Sequence, residues 1–300
     1  MPKAQRPKVA LTHPDRIYWP DARVTKAGLA DYYTCVWLKI APYIVRRPLA
    51  LLRCPDGIDG QKFFQKHAWK GLNPNIVLVT EPNKKSEEPL ISLDDLHGLI
   101  GLVQAAALEI HPWGSTVADW ERPDKLIMDL DPGEEVSWEA IIAAAKETAA
   151  RLRDRGLTPF VKTTGGKGLH IVAPLQPKAG WPAVKAFTKA IAEGMAADSP
   201  DRYVATITKS KRQGKILIDY LRNQRGMTAV APYSTRARPG APVSMPLAWE
   251  ELGPSIGPAS FTVSNAGIRL ASLTADPWED FQAAAAPLAS AKPMPGGRKT

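Results

Sequence analysis

Cysteine is almost missing from this chain: Cys35 and Cys54 are the only two in 300 residues. Neither keeps a ligand-like spacing to a second cysteine or a histidine, which excludes a disulfide framework and a cysteine-held zinc or iron–sulfur centre and suits a reducing cytoplasm. Long apolar runs are absent too, since no stretch approaches the ~18 consecutive apolar residues of a membrane span. The charged residues 1–8 lead into no apolar segment of the kind a secretory signal needs. The expectation is a protein neither membrane-spanning nor secreted by the usual route. Acids are in deficit, 30 against 39 Lys and Arg, and the net charge of +9 favours a polyanionic partner such as nucleic acid. Internal repeats are lacking. With 44% hydrophobic and 23% charged residues, the chain has enough apolar material for one large domain or two small ones with an unstapled core.

Periodicity supplies a coarse outline. Thr25 is placed to cap a helix over about 26–45, with Leu29, Tyr33, Val36 and Ile40 on its buried face. Residues 76–80 read as a strand and 81–89 as a polar loop. Ser92 is expected to cap a second helix that carries Leu96, Leu99, Ile100 and Val103 and runs towards Glu109. After the strand that ends at Asp131, a third helix spans about 137–155, striped by Ile141, Ala145, Thr148 and Leu152 and closed by Gly156. Residues 160–163 and 170–173 are strands flanking a glycine-rich turn, a fourth helix follows Pro182, and 215–220 is a short strand. Residues 283–300 are rich in Ala, Pro and Gly without periodicity. Strands and helices do not alternate regularly, so the fold class is α+β with a sheet core.

The most informative segment is Asp129-Leu130-Asp131, which ends the apolar run Lys125-Leu126-Ile127-Met128 and precedes Pro132-Gly133. In a strand, residues i and i+2 project from one face, roughly 7 Å apart along the chain. Two carboxylates so placed repel each other unless a cation neutralises them, which points to a divalent metal. Asp219 closes Ile216-Leu217-Ile218 in the same way. Three converging aspartates would hold two ions about 3.5–4 Å apart for an in-line phosphoryl displacement. For Asp219 alone, a turn cap or a pair with Arg222 is an equal alternative.

The turn Thr164-Gly165-Gly166-Lys167-Gly168 lacks Walker A spacing. Its glycines and Lys167 suit close approach to phosphate oxygens, with His170 just beyond, although a plain hairpin explains the segment equally well. His111, before Pro112, reads as a histidine ending a helix. Lys209, Lys211, Arg212 and Lys215 before the Asp219 strand, and Arg222, Arg225, Arg236 and Arg238 after it, are dense enough to neutralise phosphates. Nearer the N-terminus, Arg53, Lys62, Lys66, His67 and Lys70 interleave with Phe63, Phe64 and Trp69, as on a surface that stacks bases and tracks a backbone. At least one of Phe63 and Phe64 is expected to be buried.

Taken together, the strings RCPDGIDG, FFQKH, ALEIHPWGS, DLDPG, GGKGLHIVAPL, DYLRN and VAPYSTRARPGAPVS resemble the polymerase domain of bacterial ATP-dependent ligase D, within the archaeo-eukaryotic primase superfamily. The likeness runs from about residue 11 to residue 252. It implies one primase-polymerase domain over 1–283, with a mixed β-sheet catalytic core flanked by helices. Residues 1–118 would form a DNA-end-binding portion, 119–270 the catalytic core and 284–300 a disordered tail. The resemblance makes Asp129, Asp131 and Asp219 the catalytic residues and the ligands of two divalent ions, manganese or magnesium, and His170 a nucleotide contact. It implies that His111, Thr164, Lys167, Arg212, Asn223 and Arg236 line the incoming nucleotide, mostly at its phosphates. Arg16 and Lys26 would bind the 5′ phosphate of a downstream strand, and Arg53, Phe63, Phe64 and Lys66 the DNA near it. Thr164 departs from the family's usual serine, and Arg16 from a more usual lysine, keeping a hydroxyl and a phosphate-binding cation respectively.

The activity implied is template-directed nucleotidyl transfer. It would add NTPs or dNTPs to DNA 3′ ends and fill gaps during non-homologous end joining, in the bacterial cytoplasm at the nucleoid. The partners implied are DNA with ends, gaps or overhangs, a Ku-like end-binding protein and a ligase domain or protein. The family's ligase and phosphoesterase domains are not in this sequence, so the expectation is a free-standing polymerase or an excised domain. Two rivals remain. A non-catalytic module that bridges DNA ends would have no use for three aspartates, and a primase is disfavoured by the lack of a cysteine cluster.

Overall fold

A computed structural model describes residues 9–82 and 88–288. The polar loop expected over 81–89 therefore falls mostly outside the described residues, as do residues 1–8, 289–300 and the side chain of Lys209. A two-stranded ribbon, β1 (Ile17–Trp19) and β2 (Val24–Thr25), opens the chain, followed by α1 (Lys26–Cys35) and α2 (Trp37–Ile44). Next come β3 (Leu49–Arg53), β4 (Phe63–Gln65), β5 (Val77–Val79), β6 (Leu90–Ser92), α3 (Leu96–Gln104) and β7 (Ala107–Pro112). The second half contains β8 (Lys125–Pro132), α4 (Trp138–Arg153), β9 (Phe160–Thr163), β10 (Leu169–Pro174), α5 (Trp181–Asp198), β11 (Tyr203–Val204), β12 (Ile216–Asp219), β13 (Pro246–Leu247) and α6 (Val263–Ser272).

Local chemistry explains several boundaries. The Thr25 hydroxyl accepts the Gly28 N–H and starts α1, while Val36, at φ −93° and ψ 6°, leaves helical torsions and splits the expected single helix in two. Ser92 lies inside β6, and Asp95 takes the capping role by accepting the Gly98 N–H. The apolar run beyond Gln104 does not continue the helix. Ala106 adopts φ +60°, a left-handed torsion that turns the chain into β7. His111 therefore stands in a strand, not at a helix end. Ser137 caps α4 through the Ala140 N–H, and Gly156 at φ +76° closes it.

The larger sheet has six strands in the order β11-β12-β8-β10-β9-β13, antiparallel throughout except for the parallel pair β11 and β12. The second sheet runs β4-β3-β6-β5, with β7 also paired to β3. One hydrophobic core joins the two halves, from Tyr18 and Trp19 through Leu51, Met128 and Ile171 to Trp278 and Phe281. Residues 284–288, the start of the expected tail, pack on the sheet, where Ala286 bridges Leu175 and accepts the Gln176 N–H at 2.9 Å, and the rest of that tail lies outside the described residues.

A buried ion cluster fastens β3 to β8. Both terminal nitrogens of Arg47 bond the Asp124 carboxylate, and Lys125 Nζ lies 3.4 Å from the same group. Burial would raise the Asp124 carboxyl, yet the Lys125 and Arg47 charges outweigh it and hold it at about 2. Asp124→Asn leaves two cations uncompensated, and we expect it to cost about 3 kcal/mol at neutral pH. Because the folded-state value lies below the ordinary 3.8, the wild type's advantage is complete above that pH and fades as the pH falls towards 2. Urea titrations of both proteins from pH 7 downwards check this.

Candidate active site

Strand β8 sits between β12 and β10, and its register decides what meets. Asp219 and His170 are both direct partners of Asp129, so Asp219, Asp129 and His170 form one row across three strands. On β8, Leu126, Met128 and Leu130 alternate away from this face into the core. Asp131 follows Asp129 on the same face. The row continues to Lys162, the partner of His170 on β9. Where β12 ends, the Asn223 side chain replaces a strand: its Oδ1 accepts the Ile127 N–H at 2.8 Å and its Nδ2 donates to the Ile127 carbonyl at 2.7 Å.

A cavity of about 330 Å³ opens over Asp129 and His170, lined also by Asp131, the glycine turn with Thr164 and Lys167, His111, Phe64, Arg222, Arg236 and Arg238, while Asp219 lies buried beside it without lining it. The Thr164 hydroxyl is spent on the turn itself, accepting the Gly166 and Gly168 N–H groups and facing the Gly168 carbonyl. Gly165 takes φ +63°, and a Cβ at Gly168 would lie 1.9 Å from the Leu130 carbonyl oxygen, so the turn packs directly on β8.

The acids carry positive company. Arg212 bonds Asp131, and Arg222 Nε lies 3.3 Å from Asp129 and 3.5 Å from Asp219. Burial would raise Asp129, but the contact with His170 (Nε2 to Oδ1, 3.3 Å) and the charge of Arg222 keep it below the usual carboxylate range. Burial, with the nearby charges of Asp129 and Asp131, pushes Asp219 up. Burial also drives His170 down to about 4, aided by Lys162, so the ring is neutral near pH 7. Its Nδ1 is buried without a partner among the described residues.

Among the described residues, no three acid, histidine or cysteine side chains converge closely enough to ligate one ion in this conformation. The donor chemistry nevertheless fits a hard divalent cation. Three carboxylates crowd one face, and Asp219 bears the repulsion of the other two.

Not every expected residue joins the cavity. Asn223 is 2% exposed and its amide is used on the β8 backbone, so it clips the sheet instead of lining the cavity. Arg212 reaches the site only through Asp131. Arg16, Lys26 and Arg53 gather elsewhere, around Tyr18. Burial raises the Tyr18 hydroxyl to about 12 against the opposing charges of Arg16 and Arg53. Lys26 is 4% exposed, with Nζ donating to the Thr12 carbonyl at 2.8 Å. Arg53 stacks on Trp69 at 4.1 Å. Phe63 and Phe64 are both exposed, Phe64 by 70%, so neither is a core residue, and Lys66 is exposed beside them. Sequence reasoning missed Glu109, which bonds His111, and Lys162, which extends the row and donates to Ser244 Oγ at 2.6 Å. The i, i+2 spacing of Glu109 to His111, and of Lys162 to Thr164, was the available signal.

The family model of the LigD primase-polymerase domain matches residues 25–278. This chain belongs to the LigD primase-polymerase domain family. Over 274 residues it is 38% identical to the multifunctional non-homologous end joining protein LigD of Pseudomonas aeruginosa, covering 91% of this chain and 33% of that protein. The bifunctional LigD of Bacillus subtilis is 30% identical over 262 residues, 87% of this chain and 42% of that protein. The chain thus spans about a third to two-fifths of the length of these relatives. Among solved structures, the polymerase domain from Mycobacterium tuberculosis ligase D in complex with DNA superposes with a TM-score of 0.84 at 29% identity, covering 93% of this chain and 99% of that one. The α+β architecture is therefore the primase-polymerase fold. No helix among the described residues is long and apolar enough to cross a membrane.

The glycine turn gives a sharp test of this geometry. We expect Gly168→Ala to force β10 away from the Leu130 carbonyl at a cost of about 3 kcal/mol. Phe64→Ala, at an exposed position, should change stability by less than about 0.5 kcal/mol. Chemical denaturation of the two variants distinguishes them.

Proposed function

We propose that this chain is a template-directed nucleotidyltransferase that adds NTPs or dNTPs to DNA 3′ ends and fills gaps during repair of double-strand breaks by end joining. The observation that carries the reading is the row Asp219, Asp129 and His170, beside a cavity that Asp129, Asp131 and His170 line together with Lys167, Arg222, Arg236 and Arg238. Acids alone beneath a cationic rim match a triphosphate and its counter-ions better than they match a neutral ligand. Membership of the LigD primase-polymerase family, and the relatives' end-joining names, support the same reading.

Asp129, Asp131 and Asp219 would hold two divalent ions, manganese or magnesium, which supply charge neutralisation and Lewis acidity for phosphoryl transfer. Lys167, Arg236 and Arg238 neutralise the phosphates of the incoming nucleotide. His170, kept neutral and anchored to Asp129, offers its unpartnered Nδ1 to a hydrogen-bond donor. The exposed pair Phe63 and Phe64, with Lys66, suits stacking and backbone contact with DNA. Arg16 is the accessible cation of the Tyr18 cluster and is assigned the downstream 5′ phosphate. Lys26 supports it from below: it holds the segment carrying Arg16 through Thr12, which also exchanges two hydrogen bonds with Gln104. In this division residues 1–118 engage DNA ends and 119–270 form the catalytic core of one domain. The partners are DNA with gaps or overhangs, a Ku-like end-binding protein and a ligase, in the bacterial cytoplasm at the nucleoid.

The deciding assay is extension of a primer across a gapped duplex with a downstream 5′ phosphate, in manganese. Asp129→Ala or Asp219→Ala should lower extension by about a hundredfold or more with duplex binding retained. Full activity in either variant removes the metal assignment. Tight end binding by a wild type that extends nothing supports an end-bridging module instead. Arg16→Ala should weaken binding to phosphorylated gaps by about tenfold, the worth of one charge-assisted contact, and leave unphosphorylated gaps unaffected. Equal loss on both substrates would reduce Arg16 to a general backbone contact.

A further inference from the structure

Glu109 has no role in the scheme above, yet two cavity residues meet on its carboxylate. It stands two positions before His111 on β7, hence on the same face. Only 4% of Glu109 is exposed. Its Oε2 lies 2.8 Å from His111 Nε2 and 3.0 Å from Arg236 Nε, and its Oε1 accepts the Ala237 N–H at 2.9 Å. The far end of the same guanidinium, Arg236 Nη1, donates to the Thr164 carbonyl at 2.5 Å, and the Arg236 carbonyl accepts from Trp19 Nε1 at 3.0 Å. Arg236 is thereby stretched between β7 and the glycine turn, along one wall of the cavity.

We propose that Glu109 is a positioning residue for nucleotide binding, which fixes His111 as a hydrogen-bond acceptor and aims the Arg236 guanidinium across the cavity. The proposal rests on reading this cavity as the nucleotide site. Burial alone would protonate Glu109, but the hydrogen bond from His111 and the charge of Arg236 prevail and hold its carboxyl at about 2. Burial pushes His111 below its ordinary value, with Arg236 and Arg222 adding to the effect and Glu109 opposing it. The pair is then a carboxylate beside a neutral imidazole. A carboxylate only accepts, so the ring hydrogen belongs on Nε2 and Nδ1 is left as a bare lone pair.

That state narrows what His111 can bind. An acceptor-only ring takes a hydroxyl or amino hydrogen from the ligand and repels an ionised phosphate oxygen. Phosphate neutralisation falls to Arg236, which Glu109 steers, and to Lys167. The Phe64 ring packs edge-on to His111 at a centroid distance of 6.1 Å and limits the ring's freedom on that side. Among the residues expected to line the nucleotide mostly at its phosphates, His111 is thereby assigned a hydroxyl or amino group.

The test uses the full chain, as wild type, Glu109→Gln and Glu109→Ala. Long-range nitrogen–proton spectra of the histidine side chains near neutral pH, assigned with His111→Gln, report the tautomer without requiring activity. The wild-type ring should be the Nε2–H form, and Glu109→Gln, whose amide donates as well as accepts, should relax it to a mixture. In primer extension, Glu109→Gln should raise the nucleotide KM by about ten- to a hundredfold while kcat changes by less than about threefold, with duplex binding unchanged. An Nδ1–H tautomer in the wild type overturns the proposal, as does a wild-type KM in folded Glu109→Gln. A wild type that extends no primer would defeat the functional reading, and the tautomer would still decide the state of His111.

Discussion

Strand β8 is paired on both edges, and a slip of one residue in either ladder would turn Asp129 from the cavity into the hydrophobic core and bring Leu130 out in its place. Several unrelated features hold that register. Gly168 lets the β9–β10 turn lie on the Leu130 carbonyl, Asn223 completes the β8 ladder after β12 stops, and the Arg47, Asp124 and Lys125 cluster fixes the start of β8 against β3. The alternating core residues Leu126, Met128 and Leu130 add the hydrophobic penalty that makes any other register costly.

Charge is the second constraint, and it is managed within a few ångströms. Asp129, Asp131 and Asp219 would repel one another unaided, and the two arginines that face them, Arg212 and Arg222, come from the short segments on either side of β12. Beneath them Lys162 is wholly buried, driven well below its ordinary value by burial and then by Arg236, with Asp129 drawing it back. Cations on the rim and acids on the floor set up a field directed at an anionic ligand with its own counter-ions.

The carboxylate face was legible because its signal is local. Alternation in a short strand suffices to put Asp129 and Asp131 on one side, whereas Asp219 was marked only by ending the apolar strand Ile216-Leu217-Ile218. Glu109 escaped because the apolar run after Gln104 was read as continuing α3, and on a helix residues 109 and 111 point in different directions. The left-handed torsion of Ala106 that converts the segment to a strand has no residue signature, since alanine rarely adopts it. Asn223 and Thr164 illustrate a different limit. Both are polar residues close to the site whose hydrogen bonds are consumed by backbone, and only the three-dimensional ladder reveals that use. Lys26 is similar, since its burial under Thr12 depends on a contact with Gln104 far along the chain.

Arg222, set between Asp129 and Asp219, bears on how an ion would be held there. One guanidinium offsets only part of the charge of these acids, and Asp219 still bears repulsion from Asp129 and Asp131, so this face carries an electrostatic cost that a bound cation would relieve. An ion held by these aspartates would compete with Arg222 for the same carboxylates, so its apparent affinity would be a difference between two cations.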